Sequence, residues 1–332
     1  MVGNPVNERA RRWLHRWFPT IRVFGTLIML AVLVLKLIDS PDLGSAIPEW
    51  SASTVAWLAG ALALTVFAIL LSALRWQRVL AAIELPAKLS VLVNASLAGQ
   101  FVSNFLPSTI GGDALRVTRL SATNGEAPAS FASVVLDRMS GWLILPLLCL
   151  AGLMINPTLF HLGRASSAAV AISLITLAGL AAVLLVAANP RLGGRLAGRA
   201  TWLRFVGAVH LGLERLRQRP AAAAGVLATG FAYQLAIVAA VTLGARALGI
   251  QVGPTALLAF IPAVAIVQVL PFPTIGGLGV REGALILFLA PLGVPASQAI
   301  ALGLLVYLMH LVASLLGAPA FAVGNRAQRA SV

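Results

Sequence analysis

Charged residues are scarce in this sequence, and their scarcity excludes an ordinary soluble fold. Only 10% of the 332 residues are Asp, Glu, Lys or Arg, against about 25% in a typical soluble domain. Seven stretches contain no charged residue: 50–74, 89–112, 139–163, 165–190, 220–245, 247–280 and 283–325. Apolar stretches above about 18 residues are typical of membrane helices. The sequence therefore predicts an all-α polytopic membrane protein.

Metal-binding and nucleotide-binding patterns are also missing. Cys149 is the only cysteine, so neither a disulfide nor a cysteine-based metal site can form within the chain. The four histidines have no metal-ligand spacing, and no Gly-x-x-x-x-Gly-Lys-Ser/Thr loop is present. We predict no cofactor, no metal and no direct use of ATP. Nucleic acid is not an expected partner, because the basic residues lie mainly between the apolar stretches.

The basic residues instead predict the topology of the chain. Residues 1–22 carry five arginines and one glutamate, and the apolar run 23–35 that follows is expected to remain as an uncleaved first span. The second span, at about 53–74, returns to Arg75 and Arg78, which the positive-inside rule places in the cytoplasm.

Two further basic segments are expected in the cytoplasm. The segment 189–220 contains seven arginines and one glutamate. Its interleaved apolar residues fit either a helix on the inner leaflet or a solvated linker. The basic tail 326–332 is assigned to the same side, so both termini are predicted to be cytoplasmic.

Counting the crossings between these segments predicts two hairpins. Residue 88 and the segment 189–220 are both expected inside, yet three apolar blocks lie between them, so one block has to enter and leave on the same side. Residues 220 and 325 are also both expected inside, and the two short middle blocks between them are expected to form one hairpin. We predict re-entrant hairpins at about 89–121 and 256–292, together with six spans, which makes about eight membrane helical elements.

The centres of the two predicted hairpins share a motif. One reads Leu-Pro-Ser-Thr-Ile-Gly-Gly and the other Leu-Pro-Phe-Pro-Thr-Ile-Gly-Gly, and each is followed by an arginine within five residues. Halves at about 23–155 and 168–325, each with three spans, would be inverted within a single domain, 23–325. Proline removes a backbone donor and paired glycines end helices. The residues expected to break the helices and act as gates are Pro107, Gly111, Gly112, Pro271, Pro273, Gly276, Gly277 and Gly279.

Several ionisable residues lie where a bilayer is expected, and such residues usually mark function. The candidate substrate-binding residues are Asp113, Arg116, Asp137, Arg138, Arg281 and Glu282. Arginine offers phosphate a planar set of donors that stays charged, and broken helices in inverted halves indicate a transporter site near the midplane. Two alternatives stay open: Arg281–Glu282 as a structural ion pair, and Arg116 as an ordinary interfacial residue.

At these residues the sequence resembles the lysylphosphatidylglycerol synthase transmembrane family, the flippase-like membrane half of the multiple peptide resistance factor. The resemblance covers about residues 20–325. It rests on the first motif with Arg116, on Asp137-Arg138, and on the second motif with Arg281-Glu282 followed by Gly293-Val294. It implies a bacterial inner-membrane protein that moves a lipid or a lipid-linked headgroup between leaflets. Few residues follow the last span, so we expect no soluble aminoacyl-transferase domain here, and a separate synthase protein is a possible partner.

Three functions remain open on the sequence alone. The first is an ATP-independent lipid translocase whose partners are membrane lipids with anionic or lipid-linked headgroups. The second is a membrane transferase that uses a lipid-linked aminoacyl or glycosyl donor, with Asp113, Asp137 and Glu282 as the intramembrane bases available to it. The third is a small-anion secondary transporter, which an inverted repeat fits equally well.

Overall fold

The fold was analysed in a computed structural model of the chain. It describes residues 50–105, 109–188, 218–269 and 277–321, and the single positions 35, 210, 212, 214 and 215. The predicted first span, the termini and most of the segment 189–220 lie outside the described residues. The α-helices are α1 (Ala52–Ala82), α2 (Leu89–Phe105), α3 (Thr109–Asn124), α4 (Ala127–Ile155), α5 (Arg164–Ala188), α6 (Pro220–Ala247), α7 (Pro254–Val269), α8 (Val280–Leu289) and α9 (Ala296–Leu315).

Five of these helices, α1, α4, α5, α6 and α9, are long and apolar enough to cross a membrane. This confirms the prediction of an all-α polytopic membrane protein. Helix α1 is longer than the second span predicted at about 53–74, because it continues to Ala82. Arg75 is consequently buried within the helix, where a carboxylate of another helix neutralises it, as described below.

The two predicted hairpins are present as antiparallel helix pairs. In hairpin 1, formed by α2 and α3, Arg119 Nη1 donates to the carbonyl of Asn94 (3.5 Å) at one end. Gly99 of α2 lies against Gly112 of α3 near the other end. In hairpin 2, formed by α7 and α8, Phe260 stacks on Phe288 with ring centroids 5.3 Å apart.

The ends of the helices show that the two hairpins enter from opposite faces. One face holds Glu84, at the end of α1, which forms an ion pair with Arg219 just before α6. The opposite face holds Asn156, at the end of α4, whose amide donates to Thr255 at the start of α7 (3.2 Å). Hairpin 1 therefore enters from the Glu84 face and hairpin 2 from the Asn156 face, as an inverted repeat requires.

The packing of the helices repeats in the same inverted order. Helix α1, hairpin 1 and α4 form one unit, while α6, hairpin 2 and α9 form the other. Helices α1 and α6 run antiparallel against each other. Helix α4 packs on α7 of the other unit, and α9 makes the equivalent contact with α2. Corresponding residues are 165 positions apart after the shared motif, as in Gly112 and Gly277 or Arg116 and Arg281. Before it they are 164 apart, because the second motif has one extra residue.

Candidate functional site

Three buried charged residues form a triad between three helices of the first unit. Asp137 of α4 accepts a hydrogen bond from Arg75 Nε of α1 (2.8 Å) on one oxygen and from Arg116 Nη2 of α3 (2.8 Å) on the other. The side chain of Asp137 is 1% exposed, and those of Arg75 and Arg116 are 7% and 9% exposed. Charges buried so deeply are tolerated only when they are paired, so the triad fixes hairpin 1 against α1 and α4.

A second, more accessible ion pair adjoins the triad. Arg138 Nε donates to Asp113 Oδ2 (2.9 Å), and Asp113 Oδ1 lies 3.5 Å from Arg116 Nη1. Arg138 is 46% exposed and Asp113 is 23% exposed. The five groups Arg75, Arg116, Arg138, Asp113 and Asp137 therefore form one chain of contacts that runs from the surface to the core. Three cations face two carboxylates, so the cluster carries one excess positive charge.

Aromatic rings and a glycine hold the two buried guanidinium groups. Arg116 lies over the ring of Trp76 at 4.1 Å, and Arg75 lies 5.3 Å from the ring of Tyr233. Trp76 is itself fixed by its indole N–H, which donates to the hydroxyl of Ser133 (3.0 Å). A Cβ atom at Gly141 would lie 3.0 Å from Arg75 Nη1, so glycine at this position allows the guanidinium to lie close to α4.

Two guanidinium nitrogens in this cluster have no hydrogen-bond partner among the described residues. They are Arg116 Nε and Arg75 Nη1, and both are buried. A buried donor without a partner costs about 1–3 kcal/mol, so an acceptor at this place would be favourable. An anion with several oxygens is such an acceptor.

A cavity of about 70 Å³ adjoins the cluster. Asp113, Arg116 and Arg138 lie in its wall, and Tyr233 of α6 and His310 of α9 contribute from the second unit. The wall formed by α2 consists of small and polar residues, namely Ser96, Gly99, Gln100 and Ser103. The cavity is therefore polar and lies between hairpin 1 and the helices α1, α6 and α9.

The second predicted pair, Arg281 and Glu282, lies apart from this cluster. Arg281 Nη2 donates to Glu282 Oε1 (2.8 Å), and Glu282 Oε2 accepts from the backbone N–H of Gly279 (2.6 Å) at the start of α8. Arg281 lies 5.5 Å from the ring of Tyr307, and a Cβ atom at Gly303 would come within 2.7 Å of Glu282 Oε1. Glu282 is fully buried, and neither residue lines the cavity.

The predicted helix breaks differ between the hairpins. Gly111 and Gly112 lie within α3, which begins at Thr109, so they do not end a helix as expected. Gly112 instead allows close approach, because a Cβ atom there would lie 2.3 Å from the carbonyl oxygen of Gly99. In hairpin 2, Gly277 and Gly279 adopt positive φ angles of 70° and 85° before α8. Pro107, Pro271, Pro273 and Gly276 lie outside the described residues.

The sequence alone predicted one site that contained four residues of the cluster together with Arg281 and Glu282, which lie elsewhere. It missed Arg75. That arginine follows a charge-free stretch and precedes Arg78, which is the pattern of an interfacial positive residue. One signal was available: Arg75 lies seven residues after Ala68 and is followed by Trp76, so it shares the buried face of α1.

The family of the chain follows from a comparison over nearly its whole length. Residues 21–317 match the lysylphosphatidylglycerol synthase TM region. The chain belongs to this family. The match includes both hairpins and all the charged residues described above, so the arginine cluster is part of the family's membrane domain. No curated protein and no solved structure matches the chain.

Proposed function

We propose that the protein is an ATP-independent translocase that moves a phospholipid, or a lipid-linked headgroup, between the leaflets of the membrane. The observation that carries this proposal is the arginine-rich cavity beside hairpin 1. Arg116 and Arg138 lie in its wall, and the cluster has one cation more than it has carboxylates. A headgroup phosphate would supply both the missing negative charge and the missing acceptors.

Access to the cluster supports this assignment. Arg138 and Asp113 are partly exposed, whereas Arg116 is almost fully buried. A headgroup would meet Arg138 first and would displace Asp113 from it. It would then reach Arg116, which keeps its hydrogen bond to Asp137 while its Nε–H donates to a phosphate oxygen.

The Arg281–Glu282 pair contributes to binding only indirectly in this proposal. Arg281 donates to Glu282, and Glu282 accepts from the backbone N–H of Gly279 at the start of α8. We assign them the role of holding hairpin 2 and Tyr307 in place. This differs from the expectation that Arg281 contacts the headgroup.

The family and the charge pattern also support a location and an orientation. We place the protein in a bacterial inner membrane, with the Glu84 face in the cytoplasm. That face receives the segment that contains Arg215 and Arg219, and clusters of arginine are retained on the cytoplasmic side. The cluster residues lie 7 to 11 residues from the ends of α1, α3 and α4 at this face, or about 10–17 Å at 1.5 Å per residue, so the cavity would receive lipid from the inner leaflet.

Lipid exchange in sealed liposomes tests the proposal. Vesicles would contain a fluorescent phosphatidylglycerol in both leaflets, and dithionite would bleach the label in the outer leaflet. We expect the wild-type protein to carry labelled lipid from the inner to the outer leaflet without ATP, so that dithionite bleaches this label as well. Arg138→Gln should slow the exchange by at least about tenfold, because a charge-assisted hydrogen bond is worth about 1.5–3 kcal/mol. Arg78→Gln, which removes an exposed arginine of α1, should leave the rate unchanged.

The same preparation separates the other functions. If the label stays protected but the vesicles take up radiolabelled phosphate, the protein is an anion transporter. If a new lipid product appears when an aminoacyl or glycosyl donor is added, the protein is a transferase. Equal rates for Arg138→Gln and the wild type would contradict the assigned site.

A further inference from the structure

A second, smaller cavity continues from the arginine-rich one. It measures about 10 Å³. Three residues line both cavities: Thr65 of α1, Ile237 of α6 and His310 of α9. The remaining lining of the second cavity is apolar and consists of Ala240, Val241, Val306 and Met309. The polar cavity therefore ends at a three-residue constriction, beyond which no Arg, Lys, Asp or Glu lines the described wall.

The polar atoms at the constriction are largely occupied by their own helices. Thr65 Oγ1 donates to the carbonyl of Ala61 (2.8 Å). His310 Nδ1 is bound to the carbonyl of Val306 (2.8 Å). Ile237 has no polar atom to offer. A charged headgroup at this level would lose its hydrogen bonds without replacement, which makes the constriction a barrier to passage.

The constriction lies near the middle of the bundle. Thr65 is 13 residues from the start of α1 and 17 from its end, or about 20 Å and 26 Å along the axis at 1.5 Å per residue. The cluster residue Arg75 lies on one side of this level and Gly60 on the other. Any headgroup that moves from the cluster to the opposite face between these helices has to pass Ile237.

The packing indicates which helix would move. Helices α1 and α6 contact each other at three levels, where Gly60 meets Leu243, Gly230 meets Arg75 and Gly225 meets Arg78. Helix α9 makes far less contact with α1 and α6 than these two helices make with each other. Displacement of α9 would open the constriction while the α1–α6 pair stays closed.

We propose that Ile237, together with Thr65 and His310, is the closed gate of the translocation pathway, and that movement of α9 opens it. This inference rests on the proposed function, because it concerns the passage of the headgroup that the cluster binds. The gate sets the rate of transfer and takes no part in binding. Substitutions of its residues should therefore change the rate of lipid exchange without changing the affinity for the headgroup.

Substitutions of Ile237 test this separation. We expect Ile237→Ala to speed lipid exchange several-fold and Ile237→Phe to slow it about tenfold, as expected when gating limits turnover. Binding of glycerol 1-phosphate to the same purified variants should stay within about twofold of the wild type, corresponding to under about 0.5 kcal/mol, and would also report that they are folded. The matched controls are Leu235→Ala and Leu235→Phe on the exposed side of α6, which should change neither quantity. The gate would be overturned if the exchange rates of the Ile237 variants changed in proportion to their affinities for glycerol 1-phosphate. It would also be overturned if the Leu235 variants changed the exchange rate equally.

A measurement without lipid distinguishes failure of the gate from failure of the proposed function. In a Cys149→Ser background, Ser72→Cys places a thiol in the polar cavity and Ala240→Cys places one beyond the constriction. A water-soluble methanethiosulfonate should modify the Ala240→Cys variant at least about tenfold more slowly, and adding Ile237→Ala should raise that rate. Equal rates at the two positions would overturn the gate. The expected labelling with no lipid exchange by the wild type would support the barrier and overturn the translocase.

Discussion

Asp137 decides how the charges of hairpin 1 are balanced, because it is the shared acceptor of two buried guanidinium groups. Each of its oxygens binds one arginine at 2.8 Å. Asp113, by contrast, binds the partly exposed Arg138. The two carboxylates therefore differ in their surroundings: Asp137 neutralises buried arginines, whereas in the proposed function Asp113 would control access to the cationic cluster.

Asp137→Asn should destabilise the protein strongly. The substitution keeps the size of the side chain but leaves Arg75 and Arg116 without a counter-charge in a buried place, which costs about 3–5 kcal/mol. Thermal unfolding in detergent micelles would measure the loss. The control is Glu84→Gln, whose carboxylate is 59% exposed in its pair with Arg219, and which should cost no more than about 1 kcal/mol. Equal melting temperatures for both variants would contradict the role of Asp137.

Asp113→Asn, unlike Asp137→Asn, should leave the stability nearly unchanged and raise the affinity for an anion. Because Asp113 competes with an incoming anion for Arg138 and Arg116, its neutralisation should strengthen binding of glycerol 1-phosphate by about tenfold, corresponding to about 1.4 kcal/mol. The melting temperature should change little, since the pair is partly exposed. Titration of the purified variant by calorimetry checks the affinity. Weaker binding than in the wild type would show that Asp113 orients the arginines instead of masking them.

At the residue scale, the sequence indicated which charges to examine but not how they pair. Asp113, Arg116, Asp137 and Arg138 stand out because they lie within segments that are expected to enter the bilayer. Arg75 does not, because its position at the end of such a stretch has an ordinary explanation in membrane topology. Only the packing of α1 against α4 reveals that its guanidinium is the second partner of Asp137.

The helical elements depend on close approach at glycine, and hairpin 1 is the clearest example. A Cβ atom at Gly112 would lie 2.1 Å from Ser103 Oγ and 2.3 Å from the carbonyl oxygen of Gly99. The arms of the hairpin therefore touch backbone to backbone beside the cavity. Such small-residue contacts replace the hydrophobic effect as the means of packing helices in a membrane.

Gly112→Ala should separate the arms of hairpin 1 and lower stability by about 1–3 kcal/mol, the usual cost of overpacking. Gly179→Ala is the matched control, because no atom lies within 4 Å of the added Cβ. That substitution should be neutral or should stabilise α5 by up to about 1 kcal/mol, since alanine favours a helix over glycine. Thermal unfolding of the two variants side by side would measure both. If Gly112→Ala were as stable as Gly179→Ala, the close contact of α2 and α3 would be wrong.

At the element scale, the hairpins were predictable and the role of their glycines was not. Parity of the crossings requires a block that returns to its own side, and the proline-glycine motifs show where. The same motif has different local structure in each hairpin: Gly111 and Gly112 lie inside α3, while Gly277 and Gly279 precede α8 with positive φ. Sequence identity cannot distinguish a glycine needed for a turn from one needed for close approach.

At the scale of the whole molecule, the described helices apart from α5 form two units of the same build in opposite orientation, and the polar cavity lies beside the hairpin of the first unit. The wall residues Ser96, Gly99 and Gln100 of α2 correspond to Phe260, Ala263 and Val264 of α7. Those three residues are buried in the main hydrophobic core. The inversion was predictable from the parity of crossings. The chemical asymmetry was not, because it depends on which faces of the hairpins are covered.

The inverted arrangement predicts which loops share a side of the membrane. In sealed right-side-out vesicles of a Cys149→Ser background, an impermeant maleimide should react with a Gln251→Cys variant at once. A Glu126→Cys variant should react only after permeabilisation, because the positive-inside rule places its face in the cytoplasm. Both positions are exposed. Reaction of both variants from the same side would contradict the opposite entry of the two hairpins.

The most direct test of the central claim is the equilibrium binding of a short-chain phosphatidylglycerol to the purified protein in detergent, compared among three single variants. The account predicts that Arg138→Gln weakens binding by at least about tenfold. Arg116→Lys, which keeps the charge but loses the planar fork, should also weaken it, whereas Arg78→Gln should bind as the wild type does. If all three variants bind the lipid with the affinity of the wild type, the arginine-rich cavity is not the headgroup site.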